Sequence, residues 1–121
     1  MAIDNLQIET VDGAHGVKIL RLVGSLNIHS VFGFQELVRK EAASALLLDF
    51  SRVPFVDSAG LGSLVGLHIS SRKAMRKVVF AAINTQVKAL LDMTNVAQLF
   101  PTYATVQEAE AALAGPASAK T

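Results

Sequence analysis

Apolar residues along this chain follow two patterns, one typical of buried strands and one typical of helices with a single apolar face. Continuous or alternating apolar runs predict strands at residues 6–10, 17–23, 45–50, 78–83 and 100–104. Apolar positions three and four residues apart predict helices at residues 30–43, 58–75, 84–93 and 105–113. Strands and helices that alternate in this way indicate a largely parallel sheet covered by helices.

Polar and turn residues mark the ends of these elements. Asp12-Gly13 predicts the turn of an antiparallel hairpin between the first two strands. Gly115-Pro116 is expected to stop the last helix. Helix caps are predicted at Ser30, at Ser58, at Asn84 or Thr85, and at Thr105, which has a capping-box spacing to Glu108.

These elements predict one α/β domain over residues 1–115, followed by a flexible C-terminal tail over residues 116–121. The expected architecture is a mixed, mostly parallel sheet of four to five strands with about four helices. The run of apolar residues at 45–50 favours a strand whose two faces are both covered.

The composition excludes several functional classes. The 121 residues carry a net charge of +1, so the chain lacks the basic excess of a direct nucleic-acid binder. Arg72, Lys73, Arg76 and Lys77 cluster at a predicted helix end, where cations complement the helix dipole. Cysteine is absent, and the histidines and carboxylates lack ligand spacing, so neither a metal site nor a cofactor is expected.

The location of the protein follows from the apolar runs and the N-terminus. Residues 1–10 lack the basic region and long apolar run of a signal peptide. The apolar runs at residues 45–48 and 78–83 are too short to cross a bilayer. We therefore expect a cytoplasmic protein with no segment inserted in a membrane.

The most informative polar residues are Asp57 and Ser58, where a buried strand gives way to a helix. A helix N-terminus favours anions because its first N–H groups are unpaired and its dipole end is positive. A serine at that position can cap the helix, act as a nucleophile or accept a phosphoryl group. Asp49 and Asp57 flank the intervening loop, and a loop-stabilising role is as plausible for Asp49 as a functional one.

A hydrolase with Ser58 as nucleophile fits the sequence poorly. A nucleophile elbow requires glycine two residues before the serine, and Val56 occupies that position. His68 is ten residues further along the same helix, roughly 15 Å away, so it is too distant to act as the base. His29 could lie closer in space, although nothing in the sequence supports that arrangement.

Two further features accompany the serine. Gly60, Gly62 and Gly66 match neither a dinucleotide-binding nor a phosphate-binding loop, and we interpret them as allowing close packing against the sheet or a partner. Residues 53–56 are apolar and are predicted to form a docking surface beside Ser58. Capping alone and modification of a docking surface therefore both remain open for Ser58.

At these residues the chain resembles the STAS family, specifically the bacterial anti-sigma factor antagonists. The resemblance runs from about residue 5 to about residue 113. Its most specific segment is Leu48-Asp49-Phe50-Ser51 followed by Val56-Asp57-Ser58-Ala59-Gly60-Leu61-Gly62. Weaker segments are Gly24-Ser25-Leu26-Asn27, and Thr94-Asn95-Val96 with Leu99-Phe100-Pro101.

The resemblance implies a non-enzymatic, phosphorylated regulator of transcription that works by partner switching. Its partner would be an anti-sigma factor that is a serine kinase with a histidine-kinase-like ATPase fold. The unphosphorylated protein would bind that kinase and free a sigma factor, phosphorylation of Ser58 would prevent binding, and a serine phosphatase would restore it. The residues implied to contact the partner are Asn27, Asp57, Ser58, Ala59, Gly60, Leu61 and Gly62.

The chain departs from the family pattern at two positions. Ser25 and Asn27 stand where family members commonly have glutamate and aspartate. These changes keep a second interpretation open, a STAS subunit that docks constitutively in a membrane lipid-transport ATPase complex. A small serine hydrolase is the third and least favoured interpretation.

Overall fold

The computed structural model describes the backbone of residues 6–119 and the side chains of residues 6–113. Its strands are β1 (Gln7–Asp12), β2 (Val17–Val23), β3 (Ala45–Arg52), β4 (Lys77–Ala81) and β5 (Thr102–Tyr103). Its α-helices are α1 (Val31–Lys40), α2 (Ser58–Lys73), α3 (Thr85–Met93) and α4 (Val106–Ala119). Short 3-10 turns occupy Ala14–Gly16 and Val96–Leu99.

The five strands form one sheet in the order β1-β2-β3-β4-β5. β1 pairs antiparallel with β2, and every other neighbouring pair is parallel. The hairpin, the mixed sheet and the four helices predicted from the sequence are therefore confirmed.

Both faces of the sheet are covered, which explains the uninterrupted apolar run of β3. Leu46 and Leu48 point into the larger core beneath α1, α2 and α3, whereas Leu47 points into the smaller core beneath α4. Alternate side chains of a strand face opposite sides, so a strand covered twice needs apolar residues at consecutive positions. Phe80 stacks on Phe100 at the centre of the larger core, with ring centroids 4.2 Å apart.

Two of the predicted caps are confirmed. Asn84 accepts a hydrogen bond from the Val87 N–H at 2.7 Å and caps α3. The Thr105 hydroxyl accepts from the Glu108 N–H at 3.0 Å, so one half of the predicted capping box forms.

The first helix differs from its prediction at both ends. The Ser30 hydroxyl makes no cap bond to α1 and instead donates to the carbonyl of Ser25 at 2.8 Å. The helix ends at Lys40, three residues before the predicted Ala43. The backbone turns extended at Glu41, whose carbonyl accepts a hydrogen bond from the Arg76 guanidinium. Arg76, in the turn before β4, therefore binds the end of α1 at the point where the sequence predicts that the helix continues.

The predicted helix stop at Gly115-Pro116 is wrong, because α4 continues to Ala119. The fixed φ of proline suits a helix, and its main penalties are one lost N–H bond and crowding of the preceding turn. The flexibility of residues 116–121 stays a prediction, and Lys120 and Thr121 lie outside the described residues.

The carboxyl ends of the parallel strands β2, β3 and β4 lie at one edge of the sheet, where the connections to α1, α2 and α3 begin. In open α/β sheets this edge is the usual location of functional sites. Within the described residues, no helix has the length and apolarity needed to cross a bilayer, and no group of three possible metal ligands occurs.

Candidate functional site

The junction between β3 and α2 presents an exposed serine at the first position of a long helix. Asp57 has extended backbone angles, and its carboxylate accepts a hydrogen bond from the Gly60 N–H at 2.9 Å. Asp57 is therefore the N-cap of α2, and the prediction that Ser58 caps this helix is wrong. Because capping is performed by its neighbour, the exposed Ser58 is not needed to begin the helix.

Asp57 also joins α2 to the loop that precedes α1. Its second carboxylate oxygen accepts from the Ile28 N–H at 3.1 Å, and its own N–H donates to the Leu26 carbonyl at 3.1 Å. Leu26 and Val56 form a parallel bridge immediately beside these bonds. The segment 25–28 is thereby held against the start of α2, although it lies some 30 residues earlier in the chain.

Asn27 lies within this held segment and organises the entry into α1. Its side-chain oxygen accepts from the His29 N–H at 2.9 Å, which closes an Asx turn. Its backbone carbonyl accepts from the Ser30 and Val31 N–H groups, each at 2.9 Å. The structure thus places Asn27 near Asp57, as a shared site requires. The Asn27 side chain also stabilises the local turn through its bond from His29.

Gly60 allows the close approach of α2 to this segment. A Cβ atom at position 60 would collide with the carbonyl oxygen of Leu26 and would lie 2.8 Å from the Val56 side chain. By contrast, a Cβ at Gly62 or Gly66 would meet nothing within 4 Å. Close packing within the domain therefore explains Gly60 only, and the other two glycines leave an open strip along α2.

The remaining candidates on the first turns of α2 differ in accessibility. Ser58 and Gly62 are exposed, and Ala59 is half-buried. Gly60 is buried, and Leu61 packs partly against the larger core. Ser58, Ala59 and Gly62 therefore form the accessible part of this helix start, while Gly60 and Leu61 fix its position.

The apolar loop of residues 53–56 is only partly a surface. Val53 and Val56 are each 1% exposed and belong to the larger core, so the prediction that they form a docking surface is wrong. Phe55, in contrast, remains 54% exposed. The two middle residues, Pro54 and Phe55, are exposed, whereas Val53 and Val56 at the two ends of the segment are buried.

Sequence reasoning missed two exposed apolar side chains, one in the loop that Asp57 holds and one in the first turn of α1. Ile28 is 64% exposed and Phe32 is 73% exposed. We call Ile28, Phe32 and Phe55 the apolar rim. A sequence signal existed for Phe32, because it falls off the helical stripe made by Phe34, Leu37 and Val38, which faces the core.

A second N-cap residue supports the loop from the opposite side. Asn84 caps α3 with its oxygen and donates from its amide nitrogen to the Val53 carbonyl at 3.1 Å. Asp49 contributes nearby by accepting from the Ser51 N–H at 2.9 Å, which favours the loop-stabilising role considered for it. Helix caps on two neighbouring helices thus hold the loop leading to Ser58.

Two of the three histidines, His68 and His29, make contacts that stabilise the local structure. His68 sets its ring edge-on to Phe100, with centroids 5.7 Å apart and an interplanar angle of 81°. His29 is exposed and donates its backbone N–H to Asn27. Neither contact resembles a histidine held against a nucleophilic serine.

The sequence matches the STAS domain over residues 5–109. It is 29% identical over 103 residues to a Paenibacillus polymyxa protein named an anti-sigma F factor antagonist, covering 82% of this chain and 87% of that protein.

Solved structures show the same fold. A Thermotoga maritima protein, provisionally named an anti-sigma factor antagonist, has a TM-score of 0.76 at 27% identity and covers 86% of this chain and 90% of its own. The anti-sigma factor antagonist SpoIIAA in its unphosphorylated form has a TM-score of 0.73 at 21% identity, with coverage of 91% and 96%. The phosphorylated form of SpoIIAA from Bacillus has a TM-score of 0.64 at 20% identity, with coverage of 86% and 95%.

Proposed function

The chain belongs to the STAS domain family, and we propose that it is an anti-sigma factor antagonist controlled by phosphorylation of Ser58. Without phosphate it binds a kinase-type anti-sigma factor and so releases a sigma factor. The phosphorylated protein no longer binds, and a serine phosphatase returns it to the active form. The cycle takes place in the cytoplasm.

The observation that carries this proposal is the division of roles between Asp57 and Ser58. Asp57 makes the cap bond of α2 and the bond to Ile28, so Ser58 can be modified while both structural contacts persist. A hydroxyl that is exposed, is not needed as a cap and stands at a helix N-terminus is suited to accept a phosphoryl group. The name of the Paenibacillus relative supports the same function.

The chemistry requires no catalytic group on this chain. The kinase transfers the γ-phosphoryl group of ATP to the Ser58 oxygen, the hydroxyl proton is lost and ADP leaves. The antagonist is thus the substrate and ligand of its partner. Non-enzymatic regulation is typical of this type of STAS protein.

The apolar rim gives the switch its physical basis. Exposed apolar side chains that lie near one another mark sites of protein association, because burying them supplies much of the favourable free energy. A phosphoserine adds about −1.5 to −2 charges at neutral pH. This charge would have to lose its hydration water when a partner docks on the apolar rim of Ile28, Phe32 and Phe55. It would also repel the carboxylate of the adjacent Asp57.

The departures at Ser25 and Asn27 bear on recognition by the kinase. The Ser25 carbonyl and the Asn27 side-chain oxygen are both engaged in the turn before α1. We propose that Asn27 contacts the partner through its amide group, in place of the carboxylate that family members commonly present there. The names of the relatives favour this antagonist over a constitutive subunit of a lipid-transport ATPase and over a serine hydrolase.

The proposal is tested by isolating the protein from its host and identifying what co-purifies. We expect an ATPase of the kinase-type anti-sigma class, and a Ser58 peptide that gains the mass of one phosphoryl group when ATP is added. Co-purification of a permease or transport ATPase, with Ser58 never modified, would contradict it. Ester hydrolysis that is lost in Ser58→Ala would instead favour the hydrolase.

Ser70 provides a matched control on the same helix. It is also exposed, but it lies in the second half of α2 and donates its hydroxyl to the Leu67 carbonyl at 3.2 Å. Ser58→Ala should abolish the phosphorylation, whereas Ser70→Ala should leave it unchanged. Equal loss in both variants would show that the kinase does not select the helix N-terminus.

A further inference from the structure

The end of the domain opposite Ser58 gathers most of the basic residues of the chain. α1 ends with Arg39 and Lys40, and α2 ends with Arg72 and Lys73. Arg76 and Lys77 follow in the turn and at the start of β4. We call these six residues the basic end.

Hydrogen bonds join the two basic groups into one surface. The Arg76 guanidinium donates to the Val38 carbonyl at 3.3 Å and to the Glu41 carbonyl, both at the C-terminus of α1. The Lys77 N–H donates to the Ser44 carbonyl at 2.9 Å. The end of α1 is therefore fastened to the turn between α2 and β4, and cations that are more than 30 residues apart in sequence become neighbours.

The charge of this surface differs from that of the whole protein. Segments 36–41 and 72–77 hold six cations and two carboxylates, a net charge of +4, whereas the entire chain carries +1. Glu36 pairs with Arg39 at 2.5 Å, and the Glu41 carboxylate accepts from the Ala43 N–H. Helix dipoles favour cations in the last turn of each helix. They do not explain why the ends of α1 and α2 and the start of β4 share one basic surface.

An exposed methionine projects from the centre of the basic run. Met75 is 87% exposed and has a backbone φ of 57°, in the left-handed region that favours glycine. It lies between Lys73 and Arg76, with the small Ala74 beside it. The tip of this turn is thus an apolar side chain surrounded by cations.

An apolar groove opens beside the same surface. It has a volume of about 360 Å³ and lies between α1 and α2, with Phe34, Val38 and Leu67 in its walls. Gly66 leaves open space along it, and Arg39 and Arg76 also line it. Apolar lining with a few charged groups is typical of sites for amphipathic molecules.

We propose that the basic end binds the surface of a bilayer rich in anionic phospholipids. The cations meet the phosphate headgroups, Met75 enters the boundary between headgroups and acyl chains, and the groove accepts part of one acyl chain. Clustered lysine and arginine residues with an apolar anchor are the usual elements of such peripheral binding. A nucleic acid fits less well, because segments 36–41 and 72–77 contain no aromatic side chain on which a base could stack.

This binding is compatible with the switch and independent of it. Ser58 is at the first residue of the 16-residue helix α2 and the basic end is at its last, a separation of about 22 Å at 1.5 Å per residue. The protein could therefore rest on a membrane while Ser58 stays accessible to a partner.

Sedimentation with vesicles tests the proposal on the intact protein. We expect binding to vesicles of 70% phosphatidylcholine and 30% phosphatidylglycerol at low salt, loss of binding at high salt and no binding to pure phosphatidylcholine. Equal binding to both kinds of vesicle would overturn the proposal. Binding to RNA or to polyglutamate without any binding to the mixed vesicles would overturn it as well.

Two charge-reversal variants locate the contact. Lys73→Glu should weaken vesicle binding by about 25-fold, since it changes the charge by two and each removed cation reduces binding about fivefold. Lys88→Glu makes the same change on α3, away from the basic end, and should leave binding unchanged. Equal losses in these two variants would overturn the assigned surface.

Met75→Gly separates insertion from folding. Glycine suits the left-handed backbone at this position, so the circular dichroism spectrum and melting temperature should be retained. Vesicle binding should fall about tenfold because an apolar anchor is lost. Unchanged binding in a folded Met75→Gly protein would exclude insertion of this turn.

Discussion

The Asp57 carboxylate accepts a hydrogen bond from the backbone N–H of Ile28 at 3.1 Å, and so links the start of α2 to the loop before α1. Its other oxygen caps α2 through Gly60. One side chain thereby fixes the relative positions of the loop that carries the exposed Ile28 and the helix that begins with Ser58. This link makes the site a defined surface.

Asp57→Ala should destabilise the protein by about 1–2 kcal/mol, because it removes an N-cap and leaves the Ile28 N–H without its partner. Thermal or urea unfolding measures this change. Hydrogen exchange supplies the specific readout, since the Ile28 amide should lose protection in the variant.

Asn84→Ala is the matched control for that variant. Asn84 also caps a helix and also makes a second bond to a loop, in this case to Val53. It should lower stability by a similar amount and leave the Ile28 amide protected. If both variants exposed Ile28 equally, the exchange would report general loosening and the link through Asp57 would not be supported.

Ser58→Asp should retain the fold and lose binding to the anti-sigma factor. A carboxylate in the first turn of a helix is favourable by about 0.3–1 kcal/mol, although Asp57 beside it reduces this gain. We therefore expect stability within about 0.5 kcal/mol of the original and an unchanged helical signal. Binding to the anti-sigma factor should fall at least tenfold, as measured by titration calorimetry.

Ser58→Ala completes the test of the switch. It should bind the anti-sigma factor like the unmodified protein, since it introduces no charge and removes no cap. Loss of helix content or a large decrease in melting temperature in Ser58→Asp would show that the charge acts on the fold, contrary to a switch that acts at the interface.

The strands and the strand-to-helix junction at Asp57-Ser58 could be predicted because their signals are local. β3 has apolar side chains at consecutive positions, and Asp57-Ser58 follows it with residues typical of a helix start. Which of the two residues caps α2 could not be predicted, since aspartate and serine are about equally good caps. The bond from Ile28 to Asp57 is a tertiary contact with no local sequence signal.

Other failures share this tertiary cause. Residues 41–43 include good helix formers, yet α1 stops at Lys40. At this point the Arg76 guanidinium donates hydrogen bonds to the carbonyls of Val38 and Glu41. Likewise, Val53 and Phe55 are both apolar, and only the packing of the loop shows that the first is buried and the second exposed. Local sequence propensity predicted the conformation and burial that these segments favour. Contacts with residues distant in sequence determined where the helix ends and which side chain is buried.

Gly60→Ala should destabilise the protein by at least about 2 kcal/mol, because its Cβ would collide with the Leu26 carbonyl. Gly62→Ala and Gly66→Ala should each stabilise it by about 0.5–1 kcal/mol, since their sites are open and alanine favours a helix. Denaturant unfolding measures the free energy of unfolding of the three variants, which carry the same substitution at three positions of α2. Destabilisation of similar size in all three would contradict the close approach assigned to Gly60 alone.

The apolar rim should contribute binding free energy without contributing much stability. Phe32 is 73% exposed, so Phe32→Ser should change the free energy of unfolding by no more than about 0.5 kcal/mol. Its burial on docking should nevertheless make it a principal contact, and we expect affinity for the anti-sigma factor to fall at least tenfold. Calorimetric titration and thermal unfolding of the same sample measure both quantities.

Met93→Ser is the control for this last substitution. Met93 is 77% exposed at the end of α3, outside the apolar rim, so its replacement removes a similarly exposed apolar side chain from another surface. It should leave both affinity and stability unchanged. If Phe32→Ser bound as tightly as Met93→Ser, the partner would not cover the start of α1, and docking would be confined to the first turn of α2 and the loop before it.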